Sequence, residues 1–173
     1  MAEANKVYKG GCICGSVSYE VTGKPIRSVY CHCTLCQRLN GMSPRRSWLD
    51  LAQIPRVDLA CAFIHTIHFP ASAFTWTHEE PYGDVIETYS VESKPWKTRS
   101  RCKKCGCCVS SYNARANRRS IWSGQLERDE LEKIKYWADL RPTAHIFYGT
   151  RMLDIQDDLA KWEGYNDESR RLG

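Results

Sequence analysis

The sequence predicts a mainly β, antiparallel fold with short helical segments, organised as one domain over residues 1–173. Three observations carry that expectation. Apolar and polar residues alternate with period two in many short runs closed by turn residues. Helical periodicity is confined to two stretches. The cysteines fall in pairs and triples at the ends of the expected strands, where a sharp turn can aim two sulfurs at one point.

The elements follow in order. Val17, Tyr19 and Val21 alternate with Ser16, Ser18 and Glu20, giving a half-buried strand that ends at the turn Thr22-Gly23-Lys24-Pro25. A second strand over residues 26–31 runs into a cysteine cluster, and residues 46–51 form a third candidate. Residues 61–69 are β-rich and break at Pro70, although 53–69 reads as a surface insertion. Residues 85–91 alternate cleanly. Later strands are expected at 97–101, 109–112, 120–122 and 145–148. Leu131 and Ile134 among alternating charges suggest a helix over 129–136. Met152, Ile155 and Leu159 share one helical face. The tail, 166–173, is expected to fray.

Composition sets the broad class. Apolar residues make up 42% and charged residues 26% of 173, enough for a real core in one domain. No run approaches the length that crosses a bilayer, and Met1 to Gly10 lacks the apolar stretch of a secretory signal. The expected address is intracellular, in the cytoplasm. There, ten cysteines at short spacing argue for metal rather than disulfides. The formal charge of +5 invites a nucleic-acid reading, but seven thiolates and two Zn²⁺ ions would bring it to about +2. Nucleic acid is therefore not the expected partner, and no membrane partner is expected either. Oligomeric state is not legible.

Three cysteine clusters carry the chemistry: Cys12-Ile13-Cys14, Cys31-His32-Cys33-Thr34-Leu35-Cys36, and Cys102-Lys103-Lys104-Cys105-Gly106. A CxxC turn presents two sulfurs to one ion, and the glycine after it permits the left-handed backbone that closes the knuckle. The simplest partition joins Cys12 and Cys14 to Cys102 and Cys105 as a closed four-sulfur site, structural in kind. Cys31, Cys33 and Cys36 then form a three-sulfur set whose fourth position is open for chemistry. Competing readings are a single zinc site with the remaining cysteines as buried apolar groups, or a second site closed by His32, Cys61 or another cysteine. Strand alternation points His32 away from the ion. Cys61 reads as core, and Cys107 and Cys108 as packing residues or ordinary thiols. His65, His68, His78 and His145 have no legible partner spacing.

With these spacings assembled, the sequence resembles the family of glutathione-dependent formaldehyde-activating enzymes, which also includes centromere protein V. Residues 10–23, GGCICGSVSYEVTG, are similar to the family's opening GGCxCGxVxYxVxG. Cys31 to Arg38, with Gly41, is similar to CHCxxCxRxxG, and Arg99 to Gly106 to RxxCxxCG. Phe74, Gly124-Gln125-Leu126 and Arg141-Pro142-Thr143-Ala144-His145-Ile146-Phe147 fall where the family has a phenylalanine, GxL and PxxHIF. Two departures stand out: Pro44-Arg45-Arg46 within a long segment before Phe74, and Cys107-Cys108 after the CxxCG turn. The resemblance implies a β-tent fold, two zinc ions and the same partition of cysteines. It implies an active-site zinc on Cys31, Cys33 and Cys36, and carbon–sulfur lyase chemistry with glutathione as co-substrate.

The expected function is a zinc-dependent carbon–sulfur lyase acting on a glutathione or other thiol adduct of a small electrophile or carbonyl. Arg38, Arg45 and Arg46 are candidates for the substrate's carboxylates, since guanidinium forks suit carboxylates. One alternative keeps the open zinc in a dehydratase or isomerase of specialised metabolism that works without glutathione. The other is a binding module with two structural zincs, docking through Lys103, Lys104 and the basic run 115–119.

Overall fold

The computed structural model describes residues 6–39 and 61–173. The fold is mainly β: eleven strands in two sheets, with three short helices among the described residues. The small sheet pairs β1 (Val7–Gly11) with β2 (Ser18–Thr22), and β2 with β5 (Phe74–Trp76), all antiparallel. The large sheet begins with β3 (Arg27–Cys31), β4 (Ile64–Pro70), β6 (Ile86–Tyr89) and β7 (Lys97–Cys102). It is completed by β8 (Cys108–Asn113), β9 (Arg118–Trp122), β10 (Ala144–Ile146) and β11 (Ala160–Lys161). Its order is β11-β10-β3-β4-β9-β8-β7-β6. Pairing is antiparallel except at one edge, where β10 lies parallel to both β3 and β11.

Alternation explains which face each strand buries. Tyr8, Val17, Tyr19 and Val21 from the small-sheet side meet Ile67, Phe69, Ile86, Val109 and Ile121 from the large sheet in the main core. The opposite face of the large sheet carries a second cluster: Val29, Cys31, Ile64, Trp122, Ala144 and Ile146. Two glycines let β1 close on β2 and on the turn that precedes it. A Cβ on Gly11 would stand less than 3 Å from the Val17 carbonyl oxygen, and one on Gly10 would meet the Tyr19 ring.

Several expectations need correction. Residues 129–136 are not a helix: Asp129 Oδ1 accepts from the Leu131 and Lys133 amides, both at 2.9 Å, and Glu132 takes φ +59°. Arg128 and Ile134 then pair as an isolated antiparallel bridge, so a side chain that caps its own turn has replaced helical bonding. Leu131, expected on an apolar face, is 75% exposed. No helix forms around Met152, Ile155 and Leu159 either. The tail does not fray. Trp162 bridges Arg171, the Leu172 amide donates to the Lys161 carbonyl, and Trp162 and Tyr165 pack on the second cluster. The helices that do form are α1 (Thr34–Leu39), α2 (Tyr82–Val85) and α3 (Trp137–Leu140). Residues 64–69, expected to lie within a surface insertion, instead form most of β4, central to the large sheet. The strand expected at 46–51 lies outside the described residues. Among the described residues, no helix is long and apolar enough to cross a membrane.

Candidate metal centres

Cys12 and Cys14 sit in the turn after β1, Cys102 ends β7, and Cys105 lies in the turn that leads to β8. The four Sγ atoms lie within 4.8 Å of one another. Cys12 and Cys14 sulfurs are 3.4 Å apart, and those of Cys14 and Cys102 are 3.7 Å apart. Four sulfurs placed tetrahedrally at about 2.3 Å from zinc would be about 3.8 Å apart, so the set fits such an ion. Local backbone bonds shape each half. The Cys12 amide donates to the Val17 carbonyl at 2.9 Å, the Val17 amide donates to Cys12 Sγ at 3.3 Å, and Gly15 takes φ +78°. On the other half the Gly106 amide donates to the Cys102 carbonyl at 2.9 Å, with φ +73° at Gly106. Burial drives the Cys12 thiol up to about 12, while Ser16 hydrogen bonds bring Cys14 down to about 6. A mixed set of buried thiol and ready thiolate is what a cation would resolve by displacing the remaining protons.

The second cluster lies on the opposite side of the large sheet. Cys31 ends β3, and Cys33 and Cys36 flank the start of α1, with the three sulfurs within 4.8 Å of one another. Cys33 also caps the helix, since its Sγ accepts from the Cys36 amide at 3.4 Å and its carbonyl from the Gln37 amide at 3.1 Å. Hydrogen bonds from Cys31 and Cys36 hold Cys33 down to about 2, and its hydrogen bond to Cys33 holds Cys31 up to about 12. The donor set is three sulfurs, one of them already disposed to be a thiolate, and it fits a soft or borderline ion such as zinc.

Neither residue weighed as a fourth ligand joins the set. Cys61 points its thiol at backbone carbonyls, 3.7 Å from that of Cys36 and 3.8 Å from that of Gln37. His32 turns away as the alternation predicts and is fully buried. His32 Nε2 is 2.8 Å from His145 Nδ1, and His145 Nε2 is 2.9 Å from Asp157 Oδ2. A carboxylate only accepts, so Nε2 of His145 carries its proton, Nδ1 accepts, and His32 donates from Nε2. Lys161 Nζ closes the chain on Asp157 at 3.0 Å. Burial pushes the His32 ring down to about 4. The same turn is clamped through its backbone: the His32 carbonyl accepts from Gln37 Nε2 at 2.8 Å and Thr150 Oγ1 at 3.0 Å. Sequence reasoning missed this support, because residues 32, 37, 145, 150 and 157 have no local spacing that joins them.

Arg38 is exposed on α1, whereas Arg45 and Arg46 lie outside the described residues. The basic run is partly absorbed by the fold. Arg115 stacks over Trp96 at 3.4 Å, and Arg119 donates to Ser110 Oγ and lies over Phe74 at 4.4 Å.

Residues 7–51 match the family model described as glutathione-dependent formaldehyde-activating enzyme, GFA. Those residues carry the GFA signature. The match spans five of the seven cysteines in the two clusters, while Cys102 and Cys105 lie beyond it. The resemblance to GFA read from the sequence is thus borne out over that stretch. A solved structure of a Rhodobacter sphaeroides protein is similar at 17% identity and a TM-score of 0.44, covering 73% of this chain and 96% of that one. No curated protein matches the chain. The GFA match points to a glutathione-related enzyme family, and the two sulfur clusters could each hold a metal ion.

Proposed function

We propose that this protein is a zinc-dependent carbon–sulfur lyase acting on a thiol adduct of a small electrophile or carbonyl, with glutathione as the thiol. The observation that carries the reading is the Cys31, Cys33 and Cys36 set, which gathers no fourth His, Cys, Asp or Glu among the described residues. A closed structural site would have recruited one, as the first cluster does. Cys12, Cys14, Cys102 and Cys105 would hold a structural ion, and Cys31, Cys33 and Cys36 the active one. Zinc bound there would supply an open coordination position that favours a thiolate over a thiol.

The chain's own residues then have defined tasks. Cys31 is fixed by β3, and Cys33 and Cys36 by α1, so the three sulfurs are held before substrate arrives. The His32–His145–Asp157 chain and the Gln37 and Thr150 clamps fix the turn between them. Arg38, Arg45 and Arg46 are proposed to meet substrate carboxylates. In the addition direction the thiol sulfur attacks the carbonyl carbon, the carbonyl π electrons move to oxygen, and that oxygen takes the proton the thiol released. Cleavage is the reverse, so no outside oxidant or reductant is needed.

The test is turnover of glutathione adducts by zinc-loaded protein, with zinc per chain measured on the same samples. Two ions per chain are expected, falling to one in Cys33→Ser together with loss of turnover. Turnover that survived loss of that ion would sink the mechanism. Activity on small carbonyls that is indifferent to glutathione would favour the dehydratase or isomerase alternative.

A further inference from the structure

Among the described residues, eight buried side-chain polar atoms have no hydrogen-bond partner, and three of them are donors on one face of the large sheet. They are Arg99 Nη1, Trp122 Nε1 and Arg27 Nη1. The register proves the shared face. Arg99 lies opposite Ser111, Ser111 opposite Ser120, Ser120 opposite His68, and His68 opposite Arg27. Partners directly opposite project to the same side, as do residues two apart on a strand. Trp122 follows Ser120 by two, and Cys31 follows Arg27 by four, so both stand on that side as well.

Arg99 is 8% exposed and Trp122 is 9% exposed. Arg27 has an ion pair with Glu168 at 2.8 Å, whereas among the described residues the Arg99 side chain has no ion pair and its Nη1 has no hydrogen-bond partner. Lys97, Arg101 and Arg118 share the face by the same register, with the Glu87 carboxylate opposite Arg101, and none of the three cations is in an ion pair among the described residues. A buried guanidinium without a counter-charge is costly, and native folds keep few such groups unless something uses them. The second cluster shares this face through Cys31. Arg101 lies opposite Cys108, which packs on the same apolar cluster as Cys33, Cys36 and Trp122. The Arg99 and Arg101 charges oppose the rise that burial imposes on the Cys108 thiol.

We infer that Arg99, with the Trp122 indole N–H on the same face, is the carboxylate-binding position of the substrate site there. The inference rests on the thiol-adduct reading and adds to it the group that recognises the thiol's carboxylate. A guanidinium fork presents two parallel donors to one carboxylate, the indole a single donor, and the surrounding cations raise the local anion concentration. Arg99 replaces Arg38 as the principal anchor, because Arg38 is solvent-exposed and Arg99 is desolvated.

The test is calorimetric binding to zinc-loaded protein of S-methylglutathione, whose capped sulfur leaves recognition to the peptide. The matching glycinamide and inorganic phosphate are the comparison probes. Arg99→Gln should weaken S-methylglutathione about 10- to 100-fold, as loss of a charge-assisted bond does. The glycinamide should bind wild type more weakly by a similar factor, and Arg99→Gln should bind both peptides alike. Trp122→Phe should cost several-fold. Phosphate that displaces the peptide at comparable concentration would overturn the assignment to a carboxylate. Because Arg99 is an uncompensated buried charge, Arg99→Gln should melt no lower than wild type. Unchanged affinity, no peptide binding by wild type, or a much lower melting temperature in Arg99→Gln would each overturn the inference. Arg99-dependent binding without adduct turnover would leave it standing and remove the lyase reading, and turnover with Arg99-independent binding would do the reverse.

Discussion

Cys33 and Cys102 have the same side chain in similar short-spaced clusters, yet substitution should separate two kinds of site. Cys102 is fully buried at the end of β7 and would share its ion with Cys12 and Cys14 across the two sheets. Structural zinc contributes about 10–16 kcal/mol of apparent binding energy in model peptides, as much as the whole stability of a typical domain. Cys102→Ser is therefore expected to give no cooperative thermal transition by circular dichroism. Cys33→Ser removes a half-buried ligand from a local set, so it should lose one zinc and still melt cooperatively. Gly11→Ala tests the close approach of the first knuckle. A methyl there meets the Val17 carbonyl rather than a movable side chain, so a drop in melting temperature of several degrees is expected.

At the scale of elements, β4 places two titratable rings inside the large sheet. His65 Nε2 is 2.7 Å from Ser28 Oγ, which itself donates to the Leu140 carbonyl at 2.6 Å. Burial pushes His65 down to about 4, and burial with the Arg118, Arg27 and Lys97 charges pushes His68 down to about 3. Both folded values lie below the unfolded value of about 6.5, so below that pH the unfolded chain binds protons that the folded chain refuses. This contribution to stability is present above about pH 6.5 and is lost as pH falls toward 4. Each ring adds a slope of at most about 1.4 kcal/mol per pH unit. Denaturant titrations between pH 7 and 4.5 should show a shallower fall in stability for His68→Gln than for wild type. An equal fall would mean that His68 does not contribute to the acid sensitivity. Local chemistry also decided where helices did not form. The 129–136 stretch has helical periodicity, but the Asp129 carboxylate satisfies two amides within its own turn and the chain leaves the helical path at Glu132.

Across the whole molecule, the C-terminal residues serve as a strap. β11 adds a strand to β10, Arg27 is paired by Glu168, and Trp162 and Tyr165 pack on the same apolar cluster as Cys33 and Cys36. Asp157 and Lys161 end the histidine chain that reaches His32. A chain ending at residue 159 should melt roughly 10 °C lower, from loss of two partly buried aromatic side chains and an edge strand. It should also release the zinc of the second cluster to a chelator before that of the first. Simultaneous release of both ions would show that the strap supports the entire fold rather than one site.

The sequence by itself determined the mainly β class, because period-two alternation depends only on residues a few positions apart. It also made the CxC, CxCxxC and CxxC turns legible, because each is local, but which of them come together depends on a contact such as Cys14 to Cys102, 88 positions apart. What only the tertiary structure decided depends on contacts between residues far apart in the chain. The parallel placement of β10 beside β3 brings His145 to His32, 113 positions away. The four-strand register that sets Arg99, Trp122 and Cys31 on one face has no signature in spacing. Burial of Arg99 without a partner belongs to the same class, since an arginine next to a CxxC turn reads as an ordinary surface charge until the sheet closes around it. Desolvation is a property of the assembled fold, and it is what turns a charge into a binding group.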